Sequence, residues 1–489
     1  MNTLRSIMIP LLLICHVEAQ DHDLPNVLMI VVDDMNDWIG CLGGHPDAHT
    51  PNIDRLAKRG VLFTNAHCAA PVCNPSRVAT LTGLRPSTTG IYDNSVKWHE
   101  KLTNANSIPQ HFKQHGYQVL GGGKVYHHMP GFNRSSDWDT YFHQRFDGHF
   151  QTQLHKNLIK PSEFQYPSGF PLNQIEAVRN LGRPPRNARE FDWGPLDKSI
   201  EETGDGQMVA WATEQLQATQ SAPFLLIAGI YRPHLPFYAP KEFFELFPKE
   251  SLSTPELPSD DNLDLPPAGQ AMASQRREDL LLLKSEGKYR EFLQAYLSSI
   301  TFADALIGKL LDALEAGPSA NNTIVILWSD HGWHLGEKEH LHKMTLWERA
   351  TRVPFIVSLP KTQRRVATCS APVGLIDLFP TLNSLCGLPT LPELDGRDLT
   401  PLVNDPTVQW RHPAVTTHGF NNHAVRSRDW RYIRYANGDE ELYDHRDDPN
   451  EWSNLAPNPD FQERINELRS FLPERNTPSQ SKTRKPKST

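Results

Sequence analysis

Residues 73–77 read Cys-Asn-Pro-Ser-Arg and form the most chemically distinctive segment of this chain. The pattern from Ser76 to Thr82 predicts the start of a helix, with Pro75 at its first turn. Residue 73 would then lie near the positive end of the helix dipole, where backbone N–H groups favour an anion, and Arg77 would add a permanent cation. The segment could therefore hold an anionic reaction centre. The alternatives are a Cys73 thiol that is simply buried and an Arg77 that pairs with a surface carboxylate.

Three aspartates and a histidine have the types and positions of metal ligands. Asp33 and Asp34 follow the apolar run 26–32, and Asp330 and His331 follow the run 323–328. Three carboxylates gathered in one crevice would repel one another unless a cation neutralised them, and calcium accepts such oxygen ligands. Two alternatives stay open. Asp33 or Asp34 could cap a following helix, and His331, an unusual calcium ligand, could belong only to a turn.

The runs that precede these residues predict buried strands of an α/β sheet. Two further runs behave alike, since 117–120 leads through three glycines to Lys124 and 224–230 leads to Arg232 and His234. They alternate with helical patterns, such as that from Ile300 to Leu314, which predicts helices on both faces of the sheet. Ligands bind outside the carboxyl ends of strands in such sheets, so we expect these polar residues to converge on one site.

Lys124 and His127 stand in a glycine-rich segment that predicts a flexible loop close to a ligand. A nucleotide-phosphate loop is the rival interpretation, but the sequence contains no G-x-x-x-x-G-K-[ST] pattern. Lys343 lies downstream of the strand that leads to Asp330, and a solvated surface lysine is the alternative there.

A change in composition after Pro406 predicts a smaller second unit. Short strand-like runs flank Asn437-Gly438, which is a strong hairpin signal, and an amphipathic helix is predicted from Phe461 to Phe471. We therefore divide the chain into a main domain at 20–405, an antiparallel subdomain at 406–473 and a tail at 474–489. The tail is rich in Ser, Thr, Pro and Lys, which predicts disorder.

Residues 1–19 have the features of a signal peptide. Arg5 precedes an apolar stretch, and Val17-Glu18-Ala19 forms a small-x-small cleavage site. We expect an exported protein, periplasmic or secreted; a buried first helix is the alternative. No later segment contains the roughly 20 apolar residues that span a bilayer, so we expect no stable membrane span.

Charge and cysteine content narrow the function classes. The formal net charge of −8 provides no global basic field, which disfavours an extended contact with nucleic acid. The cysteines that would remain after cleavage, Cys41, Cys68, Cys73, Cys369 and Cys386, show neither zinc spacing nor a dense disulfide framework.

The segment at Cys73 resembles the signature of the type I sulfatases, and other blocks agree with it in order. These blocks are Asn26 to Asp34, Thr50 to Leu56, Gly123 to Val125, Arg232 to His234, Ser329 to Gly332 and Glu451 to Leu455. Within the family, Tyr231 to Phe237 and Asp330 to Glu337 are most similar to iduronate-2-sulfatases and their bacterial carbohydrate-sulfatase relatives. The resemblance covers most of the chain.

The resemblance implies an alkaline-phosphatase-like mixed sheet between helices, and a catalytic role for the domain 20–405. It implies that a maturation enzyme oxidises Cys73 to formylglycine, whose hydrated aldehyde attacks the sulfur of a sulfate ester. It also implies one calcium ion, bound by Asp33, Asp34, Asp330, His331 and the modified Cys73.

The family mechanism assigns a role to each remaining residue of the motifs. Lys124 and Lys343 would hold the sulfate oxygens, and His234 would protonate the departing sugar oxygen. His127 would take a proton as sulfate is expelled, and Arg77 would stabilise the diol.

The substrate is the least determined property. A 2-O-sulfated uronic acid of a polysaccharide is our leading hypothesis, with choline sulfate or another small sulfate ester as an alternative. Trp98, His99 and Trp333 are candidates to contact a sugar, although tryptophans are also ordinary packing residues. Two rival functions stay open: a phosphoester or phosphonate hydrolase of the same superfamily, which a two-metal site would favour, and a carbohydrate-binding protein with a dead sulfatase site.

Overall fold

The computed structural model describes residues 24–127, 131–143, 169–179 and 190–481. The predicted signal peptide at 1–19 lies outside these residues. Within them, no helix is both long and apolar enough to cross a membrane.

The strands of the described residues, in chain order, are β1 (Asn26–Asp33), β2 (Val61–Phe63), β3 (Ala66–His67), β4 (Gln118–Gly123), β5 (Thr140–Phe142), β6 (Trp193–Leu196), β7 (Phe224–Pro233), β8 (Phe237–Pro240), β9 (Thr323–Ser329), β10 (His334–Leu335), β11 (Leu341–His342), β12 (Phe355–Ser358), β13 (Ala367–Cys369), β14 (Val373–Gly374), β15 (Ala414–Thr417), β16 (His423–Arg426), β17 (Trp430–Arg434) and β18 (Glu440–Asp444). Eight of them form one mixed sheet in the order β13-β2-β12-β9-β1-β7-β4-β5. The strands β9, β1, β7, β4 and β5 run parallel, while β12 pairs antiparallel with β9 and β2.

The helices of the described residues are α1 (Pro51–Ala57), α2 (Cys73–Thr82), α3 (Pro86–Thr89), α4 (Trp98–Lys101), α5 (Ile108–Gln114), α6 (Glu176–Arg179), α7 (Gly204–Gln217), α8 (Lys241–Glu245), α9 (Pro267–Ser274), α10 (Arg277–Ser285), α11 (Tyr289–Ala316), α12 (Glu348–Thr351), α13 (Leu378–Leu385), α14 (Thr400–Asn404) and α15 (Gln462–Arg469). The longest is α11, and Gly317-Pro318 follows it, where proline cannot continue a helix.

The central strand β1 shows how the sheet is covered on both faces. Successive side chains of a strand point to opposite faces, so Leu28 and Ile30 enter one apolar core while Val27 and Met29 enter another. Helices α1, α7 and α11 pack in the first core, and α2, α5 and α13 pack in the second. The predicted sheet between two helical layers is therefore confirmed.

The glycines before Lys124 correct one local prediction. We expected a loop at 121–127, but β4 continues to Gly123 and pairs with β5 and β7. A Cβ atom at Gly121 would lie 2.5 Å from the indole of Trp138. The glycines serve close packing of the strand, and the turn begins only at Lys124.

The C-terminal sheet has the antiparallel architecture that the sequence predicted. Strands β15 to β18 pair consecutively, and Gly438 turns the chain between β17 and β18 with a φ of 102°. The predicted helix forms as α15 and covers Val425, Tyr432 and Leu442 of this sheet. The boundary at 405/406 stays a prediction.

The predicted disorder of the tail is wrong for its first residues. The backbone N–H groups of Thr477 and Gln480 donate to the carbonyls of Ser87 and Gly90, at 2.7 and 2.8 Å. The phenol of Tyr92 donates to the carbonyl of Thr477. These contacts with the main domain offset the polar composition of the segment; residues 482–489 lie outside the described part of the chain.

Candidate active site

The polar residues of the sequence motifs meet at the carboxyl edge of the large sheet. Asp33 is the last residue of β1, and Asp330 follows β9 directly. Lys124 follows β4, and His234 follows β7. Neighbouring parallel strands end at this edge, so their last residues are brought together. Helix α2 begins at Cys73 and is wholly buried against them.

Cys73 lies among cations. Its Sγ is 3.1 Å from Lys343 Nζ, 3.4 Å from His331 Nε2 and 3.8 Å from Lys124 Nζ. Burial disfavours ionisation of this thiol, but the charges of Lys124 and Lys343 outweigh it and lower its pKa to about 7. The two lysines therefore favour the anionic form of this thiol.

Each lysine also holds one of the paired aspartates. Lys124 Nζ donates to Asp33 Oδ2, and Lys343 Nζ donates to Asp34 Oδ1 at 2.6 Å. Although burial opposes ionisation of Asp33, Lys124 keeps its pKa well below the usual value. For Asp34, burial outweighs the opposing charge of Lys343 and raises the pKa to about 7, with a further contribution from the charge of Asp33.

The carboxylates fit a divalent cation. Asp33 Oδ1 and Asp34 Oδ2 are buried, and neither accepts a hydrogen bond from any described residue. One ligand atom each from Asp33, Cys73, Asp330 and His331 lies within 4.8 Å of the others. Unsatisfied buried carboxylate oxygens are costly, and hard oxygen donors are what calcium binds. These residues could hold the ion that the family resemblance implies.

His331 is drawn into the site by its neighbours. Its Nε2 is 3.4 Å from Asp34 Oδ1 and 3.6 Å from Asp330 Oδ2, while Nδ1 lies 3.0 Å from the carbonyl of Gly332. Burial opposes protonation of this imidazole, but Asp330 offsets it and the pKa rises to about 9. The ring is therefore more than a turn residue, because it contributes a nitrogen to the carboxylate cluster.

Arg77 is a buried organiser of the site. Its Nε donates to Asp330 Oδ2 at 2.8 Å, and its Nη1 donates to the backbone carbonyls of Lys124 and, at 3.0 Å, Val125. One guanidinium thus connects the strand end of β9 with the segment that presents Lys124. The alternative of a surface ion pair is wrong, since Arg77 is fully buried.

Two further histidines complete the group. His234 Nδ1 lies 2.5 Å from the carbonyl of Leu235, which fixes the proton on Nδ1 and leaves Nε2, 3.8 Å from Asp34 Oδ2, facing the site. Burial and the charge of Lys124 lower the pKa of both His234 and His127. Both rings are therefore neutral at neutral pH.

Comparison of the chain with models of protein families identifies its family. A model described as "Sulfatase" matches residues 25–388, and one described as "N-sulphoglucosamine sulphohydrolase, C-terminal" matches residues 336–477. The chain belongs to the sulfatase family. Its signature at Cys73 is that of the type I enzymes, which are sulfuric ester hydrolases.

Two relatives illustrate the similarity in sequence. A protein named "Sulfatase" from Formosa agariphila is 38% identical over 478 residues, covering 93% of this chain and 87% of its own. "Iduronate 2-sulfatase" of Homo sapiens is 34% identical over 413 residues, covering 76% of this chain and 70% of its own.

Two solved structures share the fold. A "2-O GAG sulfatase" aligns with a TM-score of 0.67 at 22% identity, covering 92% of this chain and 91% of the other. A phosphonate monoester hydrolase from Silicibacter pomeroyi aligns with a TM-score of 0.72 at 18% identity, covering 91% and 94%. Likeness at this level of identity establishes the shared fold alone.

Several positioning residues of this sulfatase were not found from the sequence. The amide of Asn74 donates to the carbonyls of Asp93 and Val96, both at 2.9 Å, which anchors the start of α2. Ser76 Oγ donates to the carbonyl of Asp330. Asn74 occupies the variable position of the motif, so only its burial in the folded chain reveals its role.

Two other residues of the sulfatase hold the strand ends in place through hydrogen bonds to their backbone groups. Tyr296, on α11, donates its hydroxyl to the carbonyl of Asp34 at 2.8 Å and accepts from the N–H of Asn36. Asp205, on α7, accepts the N–H groups of Tyr231 and Arg232, both at 3.1 Å. No motif in the sequence pointed to either residue, because their partners are distant in the chain.

The candidate sugar contacts have different outcomes. The prediction for Trp98 is wrong, because its ring is fully buried between Tyr126 and Arg134 and its Nε1 donates to the carbonyl of Phe132. His99 is half-buried, with Nε2 2.7 Å from the carbonyl of Gly131. Trp333 is buried beneath Lys343, whose Nζ lies 5.5 Å from the ring centroid. The same burial makes the prediction for Trp333 wrong, whereas a sugar contact by His99 stays a prediction.

Proposed function

We propose that this sulfatase removes sulfate from a sulfated carbohydrate, with a 2-O-sulfated uronic acid of a polysaccharide or oligosaccharide as its substrate. The observation that carries the proposal is the position of Cys73 between two lysines and beside two aspartates, each with one oxygen that accepts no hydrogen bond from a described residue. Such a pocket stabilises a reacting anion at residue 73 and a second anion at the lysines.

Two groups supplied after synthesis complete the chemistry. Cys73 oxidised to formylglycine would supply a hydrated aldehyde, the nucleophile that the family uses against sulfur. A calcium ion held by Asp33, Asp34, Asp330, His331 and residue 73 would supply Lewis acidity and neutralise the carboxylates. The proposal therefore includes a maturation enzyme as a partner.

The lysines bind the sulfate group. Lys124 and Lys343 each have three N–H donors, and both ammonium groups lie within 4 Å of Cys73 Sγ. They would donate to sulfate oxygens and stabilise the charge that develops there in the transition state. Arg77 holds Lys124 and Asp330 in position for this task.

The histidines move protons. Because Nδ1 of His234 is committed to Leu235, a proton gained at Nε2 can be given to the departing sugar oxygen. The charge of bound sulfate would offset that of the lysines and raise the pKa of His234 toward the value this step needs. His127 would act as the base at residue 73 when sulfate leaves.

The substrate class draws on the relatives. The human relative is named for iduronate 2-sulfate, and one solved structure of the same fold is titled a 2-O GAG sulfatase. Both names concern a sulfate at position 2 of a sugar, which supports the choice of substrate. Choline sulfate or another small sulfate ester is the alternative.

Three measurements test the proposal. Peptide mass spectrometry over residue 73 should find formylglycine in active enzyme. A panel of 2-O-, 4-O- and 6-O-sulfated oligosaccharides, with choline sulfate, should show the highest kcat/KM for a 2-O-sulfated uronic acid. Cys73→Ala should abolish turnover and leave the thermal unfolding midpoint nearly unchanged. Substantial sulfate release by Cys73→Ala, or an unmodified thiol in fully active enzyme, contradicts the proposal.

A phosphoester or phosphonate hydrolase is the second candidate, since a phosphonate monoester hydrolase shares the fold. A two-metal site would favour it. Among the described residues, the other ligand cluster is Glu348, His445 and Glu451, and Arg431 already pairs with both of its glutamates. Matched aryl sulfate and aryl phosphate assays separate the two activities. We also propose export, directed by residues 1–19, which N-terminal sequencing of the mature protein would test.

A further inference from the structure

A second cleft lies at the junction of the main domain and the C-terminal subdomain, separate from Cys73 and its lysines. Its volume is about 140 Å³. Buried side chains, including those of Trp38, His45 and His334, line its floor, while Glu256 and Asn450 are exposed at its rim. Residues of two sequence blocks that resemble the family and that the active site leaves unused, His334 to Glu337 and Glu451-Trp452, meet here.

The lining carries hydrogen-bonding atoms without partners among the described residues. Trp38 Nε1 is a buried donor of this kind. The N–H of Asp47 donates to His45 Nδ1 at 3.1 Å, so the neutral ring carries its proton on Nε2, which is a second unpartnered donor. His334 Nε2 bonds Thr345, and Nδ1 of the same ring lies 4.0 Å from Glu337 Oε2. Glu337 Oε1 accepts no hydrogen bond from a described residue, although Arg349 Nε lies 3.2 Å away, and it is the acceptor of the lining.

The buried charges of the lining are already compensated in pairs. Arg349 is bonded to Asp37 and lies 3.2 Å from Glu337 Oε1, and Lys338 pairs with Asp261 at 2.5 Å. The buried part of the cleft therefore offers neutral donors and an acceptor, and Glu256 at the rim is its exposed charge. That combination suits hydroxyl groups, which donate and accept, better than it suits a free anion or cation.

Size and aromatic content favour a sugar ring over water alone. A cavity of roughly 150 Å³ accommodates a six-membered ring. Without a ligand, about five ordered waters would be required to fill the same volume. Trp347 lies in the wall and the half-buried Trp452 at the mouth, and aromatic faces pack well on the C–H faces of sugars.

We infer that this cleft is a second carbohydrate-binding site, which takes a neutral, hydroxyl-bearing sugar residue of the glycan. The inference rests on the proposed function for the choice of a sugar, but the cleft lies outside the catalytic machinery. It would hold an unsulfated part of a chain whose sulfated residue is at Cys73, or of a neighbouring chain.

The test measures binding without turnover. Full-length Cys73→Ala is titrated with glucose, galactose and xylose, and binding is followed by saturation-transfer NMR and calorimetry. We expect at least one sugar to bind with a millimolar Kd. His45→Phe, which removes the Nε2 donor, and Trp452→Ala should each weaken binding at least tenfold, whereas His45→Gln, which restores an N–H donor, should stay within threefold. Phe420→Ala, at an exposed aromatic residue elsewhere, is the matched control and should have no effect.

Binding that survives either His45→Phe or Trp452→Ala, or the absence of binding by all three sugars, overturns the inference. Thermal unfolding of each variant shows that it is folded. Hydrolysis of a small aryl sulfate by the same substitutions in the active enzyme should be unchanged. If the sulfated panel fails as substrate while the sugars bind as expected, the proposed function fails and the second site stands.

Discussion

Replacing Lys343 by methionine tests the electrostatic basis of the proposed reaction. Methionine keeps most of the side-chain length and removes the charge. In the present structure the ammonium is 3.1 Å from Cys73 Sγ and 2.6 Å from Asp34 Oδ1. We expect Lys343→Met to lower kcat by about 10²–10³, because removal of one preorganised donor to a developing negative charge costs about 2.7–4 kcal/mol.

The distance in the structure supports this magnitude. Two unit charges 3.1 Å apart interact by about 5 kcal/mol at an effective dielectric constant of 20, and desolvation of the ammonium offsets part of it. A net loss near 3–4 kcal/mol is therefore consistent with the geometry. The assay is kcat and KM for a small aryl sulfate, with mass spectrometry to verify that residue 73 is modified equally in both proteins.

Lys338→Met is the matched control. Lys338 is also buried and paired, with Nζ 2.5 Å from Asp261 Oδ1, but it lies outside the catalytic group. We expect it to lower the unfolding midpoint while kcat for the aryl sulfate stays within twofold. A fully modified Lys343→Met enzyme with kcat within threefold of the parent would refute the assignment of Lys343 to the sulfate.

Three further predictions concern the cation, the buried ion pairs and the strand packing. Chelation with EGTA should abolish sulfatase activity and lower the unfolding midpoint, and calcium should restore both; full activity after exhaustive chelation would contradict a metal site at Asp33. Burial raises the pKa of Glu348, but the charges of Arg426 and its neighbours outweigh burial and hold this pKa well below 4.5. The contribution of the ionised Glu348 to the stability of the fold is therefore complete above pH 4.5 and is lost as the pH falls through the lowered pKa. Glu348→Gln should therefore lower the free energy of unfolding by about 3 kcal/mol at pH 7. Below pH 4.5 this free energy, measured by urea denaturation, should fall less steeply with pH in the variant than in the parent; equal slopes in the two proteins would contradict this. Gly229→Ala would place a Cβ 2.3 Å from the carbonyl carbon of Lys124, so we expect about 1–3 kcal/mol of destabilisation and at least a tenfold loss of kcat; unchanged kinetics would show that Lys124 can shift freely.

The site was predictable where local sequence and strand geometry act together. A buried apolar run ending in charged residues is visible in the sequence, and parallel strands bring such ends to one edge. Asp33, Lys124, His234 and Asp330 were found in this way. The family resemblance assigned roles to Cys73 and Lys343. Cys73 lies on a helix and Lys343 on an irregular segment, so neither follows a strand of the large sheet.

The errors arose where tertiary contacts decide the outcome. Trp98 could not be distinguished from an exposed tryptophan, because its burial depends on Tyr126 and Arg134. The glycines at 121–123 look like a loop in isolation and form a strand because Trp138 and other large side chains fill the space beside them. The polar segment near Thr477 is held by backbone hydrogen bonds to residues almost 400 positions away, which composition alone does not reveal.

The charges of the site predict that calcium binding and sulfate binding are coupled. Asp33, Asp34 and Asp330 lie against the cations Arg77, Lys124 and Lys343 and against His331. Each lysine donates a hydrogen bond to one of the paired aspartates. Carboxylate oxygens that ligate a divalent cation have less negative charge to offer an ammonium, so both lysines would be released toward sulfate. The site should therefore bind sulfate more tightly with calcium than without it, and by thermodynamic linkage sulfate should tighten calcium binding by the same factor.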